Sequence, residues 1–243
     1  VAVAVGIAFW SYLAPMASAR ALKVSIAVAL LFLCIVLVGH GLGWISRESL
    51  AEVRAFAIIP GLPVAATLLS EMALRDGITH RTLLYPLLGP VSRTTLAVVR
   101  TAVTGLVLFT GTALVVLLLR VLERASWGAF PRELLALLLA SLAYTGLFGL
   151  VHLITRRGLI VSLILFGLFD NSIGRLPFSL RVIAPSYHLR YLAHLEKPLP
   201  IPIDLEPGGG SVLGSTIFLL ALAAATTALS AWFFSRKNLG ELC

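Results

Sequence analysis

Apolar runs and short polar breaks alternate along the whole chain. The runs fall at about 22–39, 55–72, 98–119, 134–154, 158–173 and 211–234. Most approach the roughly 20 residues that carry a helix across a bilayer. None alternates apolar and polar positions at period two, the mark of a membrane barrel. The pattern predicts a polytopic all-α membrane protein with six transmembrane helices, forming a single domain over residues 1–243. The run at 55–72 contains Pro60, Gly61 and Pro63, which predict a bend that neighbouring helices must accommodate. Residues 1–19 are apolar but hold Trp10, Tyr12 and Pro15. They read as an interfacial helix, with a true span as the competing reading.

The breaks differ in kind. Segment 45–54 is short and charged, with Arg47, Glu48, Glu52 and Arg54. Arg156 and Arg157 make a tight basic turn. Segment 171–210 is the longest. It begins beside Asp170, predicts an amphipathic helix starting near Pro185, and returns through a Pro- and Gly-rich loop. Its mixture of apolar and basic residues predicts a segment lying on a membrane surface. Residues 71–93 form a polar island with Glu71, Arg75, Asp76, His80, Arg81 and Arg93, broken by Gly77, Pro86, Gly89 and Pro90. Glu71 and Arg75 are spaced as a helical pair, acid first, and Leu83, Leu84, Leu87 and Leu88 supply an apolar face.

Composition sharpens the membrane reading. Charged residues make up 12% of the 243 positions, against about 25% in an average soluble domain. Mean hydropathy is +1.00. The net charge of +8 is scattered between runs without aromatic interleaving, so nucleic acid is not an expected partner. With six spans both termini share a side. That side collects Arg20, Lys23, Arg75, Arg81, Arg93, Arg100, Arg156, Arg157, Arg236 and Lys237 against Glu71, Asp76 and Glu241. The other side carries nearly as many basic residues. The dense pairs hard against span ends, Arg156–Arg157 and Arg236–Lys237, decide for cytoplasmic termini and a cytoplasmic 71–93 island.

Little in the chain suggests catalysis. There is no P-loop, no HExxH and no GxSxG, so ATP, if used, must be bound elsewhere. Cys34 and Cys243 do not pair plausibly, and no metal spacing appears; His188 and His194 fall on different helix faces. His152 reads as a helix-end residue at the interface, with proton or substrate contact as the sharper alternative. Asp170 and Asn171 carry two readings of equal weight: a substrate contact on a pathway or external gate, or a helix-end group facing water. Small residues recur four apart at Thr101/Gly105, Ser141/Thr145/Gly149 and Ala221/Ala225, which predicts close helix packing.

One stretch carries a family signature. A span ending in Glu71, then Gly77, Leu83 and Leu84, then Pro90, Val91, Ser92 and Arg93 leading into the next span, resembles the ABC-2-type transport permeases. The order of spans, the cluster Pro185–Tyr187–Leu189 in the last loop, and the basic tail SRKNLGEL agree with that resemblance. Gly77 and Pro90 stand further apart than in the family's pattern, with Tyr85–Gly89 as the extra turn. The resemblance implies the permease subunit of a bacterial inner-membrane exporter, with no cofactor of its own. It implies a homodimer or close heterodimer paired with two ATPase subunits that bind ATP and Mg. Residues 71–93 become the coupling helix, with Glu71, Arg75, Asp76, Gly77, His80, Arg81 and Arg93 at the ATPase contact. Tyr187 joins Asp170 and Asn171 near an external gate. The competing class is an integral membrane enzyme or scaffold that works without an ATPase.

Overall fold

The computed structural model describes residues 20–73, 91–174, 179–195 and 211–236, together with Val5, Gly6, Phe9, Trp10, Tyr12 and Met16. All regular structure among these residues is helical. Five helical stretches are long and apolar enough to cross a membrane: Leu22–Gly41, Arg47–Glu71, Arg93–Glu123, Phe130–Ile154 and Val212–Arg236. The sixth predicted span, Gly158–Ile173, is a shorter apolar helix.

The first helix, α1, covers Arg20–Gly41. Gly43, at φ 77°, takes the left-handed conformation in the turn that follows. Ser46 caps α2 (Arg47–Phe56), its hydroxyl accepting from Ser49 N at 3.2 Å. The charges of 45–54 therefore do not form a separate loop segment, as the sequence pattern suggests. They occupy the first turns of a helix that runs on through a π turn, Ala57–Gly61, into α3 (Leu62–Ala73). Pro60 lies inside the π turn. Lacking an N–H, it cannot complete the ordinary ladder, and the wider turn absorbs the defect without ending the helix.

Ser92 caps α4 (Arg93–Glu123) by accepting from Thr95 N at 3.1 Å, and Arg124 closes it at φ 57°. α5 (Phe130–Ile154) carries Pro131 in its first turn, where a missing N–H costs nothing. After a tight turn at Thr155–Arg157 come α6 (Gly158–Ile164), a second π turn (Leu165–Asp170) and α7 (Asn171–Ile173). A 3-10 turn, Ser179–Ile183, leads into α8 (Pro185–Leu192), which begins at the expected proline. The last helix, α9, is Val212–Arg236.

α5 is the central post. Of its most apolar stretch 61% is buried, against 11% for α1 and 22% for α9, so α1 and α9 form the rim. α3, α4 and α9 pack directly on α5. The core includes Ile58, Leu62, Val103, Leu137, Tyr144, Phe148 and Leu219. Small residues set the close approaches. A Cβ on Gly105 would sit 2.8 Å from Leu142 Cδ2 and 3.4 Å from its Cα. A Cβ on Gly146 would strike Thr226 and lie 3.2 Å from Thr227 Oγ1. Ser141 and Thr145 are fully buried. The spacing Thr101/Gly105 and Ser141/Thr145 thus serves packing inside the chain, whereas Ala221 and Ala225 are exposed on α9, which meets α5 at Gly146 instead.

The outer surface is strongly apolar. Leu30, Leu31 and Ile35 on α1 and Leu213 and Ile217 on α9 are all more than half exposed. A soluble monomer rarely exposes contiguous apolar area on this scale. An apolar surround makes it the favourable arrangement.

Candidate functional site

The shortness of Gly158–Ile173 is the starting point. At 1.5 Å per residue it rises about 24 Å, less than the roughly 30 Å hydrocarbon core. It begins beside the end of α5, where a Cβ on Gly158 would lie 2.8 Å from His152 Cα. It ends where Asp170 meets Tyr144, whose hydroxyl donates to Asp170 Oδ2. Tyr144 lies about 21 Å from the Phe130 end of α5 and about 15 Å from the Ile154 end. The helix therefore stops about half-way along α5.

α8 takes over from that level. Ser186 N donates to Asp170 Oδ1 at 2.8 Å, and Ser186 Oγ donates to the Asp170 carbonyl at 2.9 Å. Asp170 thereby satisfies a donor at the first turn of a helix that has no capping side chain of its own. The far end of α8 reaches the Phe130 end of α5. There Arg132 Nη2 donates to the Tyr191 carbonyl at 3.0 Å, and Arg132 also meets His194. Two half-helices, α6–α7 and α8, thus run in one direction along α5 with a break between them.

The break is held by a few specific contacts. Gly174 N donates to the Asp170 carbonyl at 2.9 Å. A Cβ there would clash with Ser186 Oγ, which is why this position needs glycine. Arg190, one turn after Ser186, donates to Asn171 Oδ1 at 2.7 Å and to the Gly174 carbonyl at 3.4 Å. His188 joins the break to α9. Its Nε2 donates to the Val182 carbonyl at 2.7 Å, which leaves Nδ1 to accept from the Ser215 hydroxyl at 3.1 Å in the neutral ring. The ring stacks on Phe218, centroids 4.1 Å apart.

The structure brings Asp170 and Asn171 together at this break and sets Tyr187 beside Ser186 on α8. Asp170 is only 8% exposed and Tyr187 6%, so within this chain neither faces an open channel or water. The expected surface-lying amphipathic segment is corrected for 179–195. Pro185, Ser186, Tyr187, His188, Leu189 and Leu192 are buried, with α8 packed against α5 and α9. Leu180, Val182 and Ile183, in the 3-10 turn, stay exposed. Residues 196–210, in the remainder of that segment, lie outside the described residues.

Two further polar clusters stabilise the ends. Near the Phe130 end, Arg54 bridges Glu123 at 2.9 Å and also pairs with Glu133, while Arg120 bridges Glu133 at 2.6 Å. Arg120 and Glu133 are almost fully buried, so each needs its partner. At the opposite end His152, expected at an interface, is 3% exposed and donates from Nε2 to the Thr67 carbonyl of α3 at 3.0 Å.

Of the predicted coupling residues, Glu71 lies in the last turn of α3 and Arg93 opens α4. Arg75, Asp76, Gly77, His80 and Arg81 lie outside the described residues. Among the described residues no three His, Cys, Asp or Glu side chains converge as a metal site. Sequence reasoning missed Tyr144, Ser186 and Arg190. Tyr144 carried a signal: a hydroxyl inside a run of 25 residues with charges only in its first turn needs a buried partner. No family model matches the chain, and no curated protein matches it.

Proposed function

We propose that this chain is the permease subunit of an ATP-driven exporter of the ABC-2 type, set in a bacterial inner membrane with both termini cytoplasmic. The observation that carries the transport part is the interrupted run Gly158–Leu192. Broken helices at mid-depth recur where membrane proteins bind or pass polar groups, because irregular backbone is tolerated there only when protein or a cavity satisfies it. A break held by Asp170, Ser186 and Arg190 can reopen without unfolding either half-helix. Asp170, Asn171 and Tyr187 then become available to a passing substrate once a second copy completes the pathway. The ATPase part rests on the resemblance of Glu71–Arg93.

The same reading gives a route for coupling. A push on the 71–93 segment displaces the end of α3. Thr67, one turn before Glu71, hands that displacement to His152, and His152 supports Gly158 at the base of the broken crossing.

The test is assembly. A tagged full chain purified from its native host should bring down a P-loop ATPase. Charge reversal at Arg75 and Arg81 should remove the ATPase while leaving insertion intact. Arg47 and Arg124, both exposed and at the other end of the bundle, are the control pair. Arg54 is unsuitable as a control because it sits in the ion cluster. Equal ATPase recovery from all variants, or no ATPase with the wild type, defeats the proposal.

A further inference from the structure

α1 is fastened at its two ends and stands off from the bundle between them. At one end Leu22 packs on the main core. At the other, Val36 joins Leu50 and Leu119 in a separate cluster, with Phe32 stacked on Phe56 at 6.5 Å. Between these anchors α1, the Pro60 π turn, α3 and α4, with Phe9 and Phe56, border a side-open cavity of about 750 Å³. Among the described residues that line it none is charged. Of the three hydroxyls among them, two are already spent within α4: Thr110 donates to the Leu106 carbonyl and Thr112 to that of Leu108, at 2.8 and 2.9 Å.

Three observations specify the occupant. The lining is apolar, so it suits hydrocarbon rather than a polar solute. The cavity runs from Leu22 to Phe32, about 15 Å along α1, which is about half of a 30 Å hydrocarbon core and so the depth of one leaflet. Its sides open through exposed apolar residues, Ile26, Val64 and Leu114, so it is entered from an apolar surround. The two ends also differ. The Phe32–Phe56 stack borders one, while exposed Lys23 stands beside the other, at the end where α1 begins with Arg20.

We infer that this cavity holds one acyl chain of an anionic phospholipid, drawn from the leaflet at the Arg20 end of α1, with Lys23 at the headgroup phosphate. The site fills a gap that would otherwise leave apolar side chains without contacts. It stands whether or not the chain transports anything.

The test is native mass spectrometry of the purified full chain, stripped stepwise from an equal mixture of phosphatidylglycerol and phosphatidylcholine. One phosphatidylglycerol per chain should survive after bulk lipid is gone. Gly111→Phe should abolish that retention with no loss of thermal stability. Gly111 is exposed to the cavity, and a Cβ there meets nothing within 4 Å. Ala29→Phe, on the opposite wall, is an independent block. Lys23→Gln should bring retention of the two lipids close to parity. Retention of both lipids equally by the wild type, or undiminished retention by both filled variants, overturns the assignment. So does a wild-type dimer without lipid that Gly111→Phe converts to monomer, an outcome that would give the cavity to a second copy.

Discussion

Tyr144 and Asp170 meet about half-way along the central helix, the tyrosine hydroxyl donating to Asp170 Oδ2 from a fully buried ring. Both partners depend on the other. The carboxylate's second oxygen is taken by Ser186 N, and the Asp170 carbonyl receives Gly174 N and the Ser186 hydroxyl. One residue therefore ends one half-helix and starts the next.

Removing the hydroxyl tests that arrangement most cleanly. Tyr144→Phe keeps the ring packed on Phe148 and Phe166 but leaves a buried carboxylate oxygen without its donor. The expected loss is about 1–3 kcal/mol. Asp170→Ala should cost more, because it also strips Ser186 N of its acceptor. Thermal unfolding in a mild detergent reads both. A Tyr144→Phe protein as stable as wild type would mean that the two residues do not meet.

The ion cluster predicts an inequality between single and double variants. Glu133 serves both Arg54 and Arg120, so Glu133→Gln leaves Arg120 buried and without a carboxylate, at a cost of about 3–5 kcal/mol. Glu123→Gln should cost less, since Glu123 is more exposed and Arg54 keeps Glu133. Arg120→Met combined with Glu133→Leu should be milder than Glu133→Gln alone, because the uncompensated charge is gone and Arg54 retains Glu123. Unfolding midpoints of the four proteins decide it. A double variant worse than the single would show that packing, not charge, holds this end.

How much of this could be seen in the sequence follows from what each signal encodes. Runs such as 134–154 and 211–234 were legible because apolar length alone defines them, and the helices found, Phe130–Ile154 and Val212–Arg236, extend them only slightly. Arg47–Arg54 reads as a polar break because local hydropathy cannot see Glu123 and Glu133, 69 and 79 residues from Arg54, which absorb its charge. The helix around Pro185 was legible, but its burial was not. His188 looks polar in sequence and becomes compatible with the interior only through Val182, Ser215 and Phe218. His152 misled in the same way, its partner being a backbone carbonyl that sequence does not display.

Helix spacing makes a third prediction. Gly146 lets α5 and α9 touch at Thr226, whose own hydroxyl is bound to the Leu222 carbonyl at 2.7 Å. Gly146→Ala must push α9 away or force strained side chains, at a cost of about 1–3 kcal/mol. Gly149, where a Cβ meets nothing within 4 Å, is the matched control. Comparable stability of Gly146→Ala and Gly149→Ala in detergent would show that the two helices do not approach so closely.

The last prediction concerns the Thr67–His152 contact, and it separates a structural role from a coupling role. His152 donates from Nε2 to a carbonyl of α3 and supports Gly158 with its other edge. His152→Phe keeps the bulk and removes the donor. A merely structural contact would lower stability by about 0.5–1.5 kcal/mol and reduce every activity in proportion to the folded protein that remains. If α3 passes motion to the broken crossing through this bond, the outcome differs. In the proposed complex with an ATPase, the variant should keep basal ATP hydrolysis while substrate export falls at least several-fold. His152→Gln, whose amide N–H can still reach the Thr67 carbonyl, should restore part of the export. Measuring ATP hydrolysis and export on the same proteoliposomes gives the ratio directly. A ratio unchanged in His152→Phe would remove the bond from the coupling route, and failure of His152→Gln to recover export would assign the effect to the imidazole's shape instead of its donor.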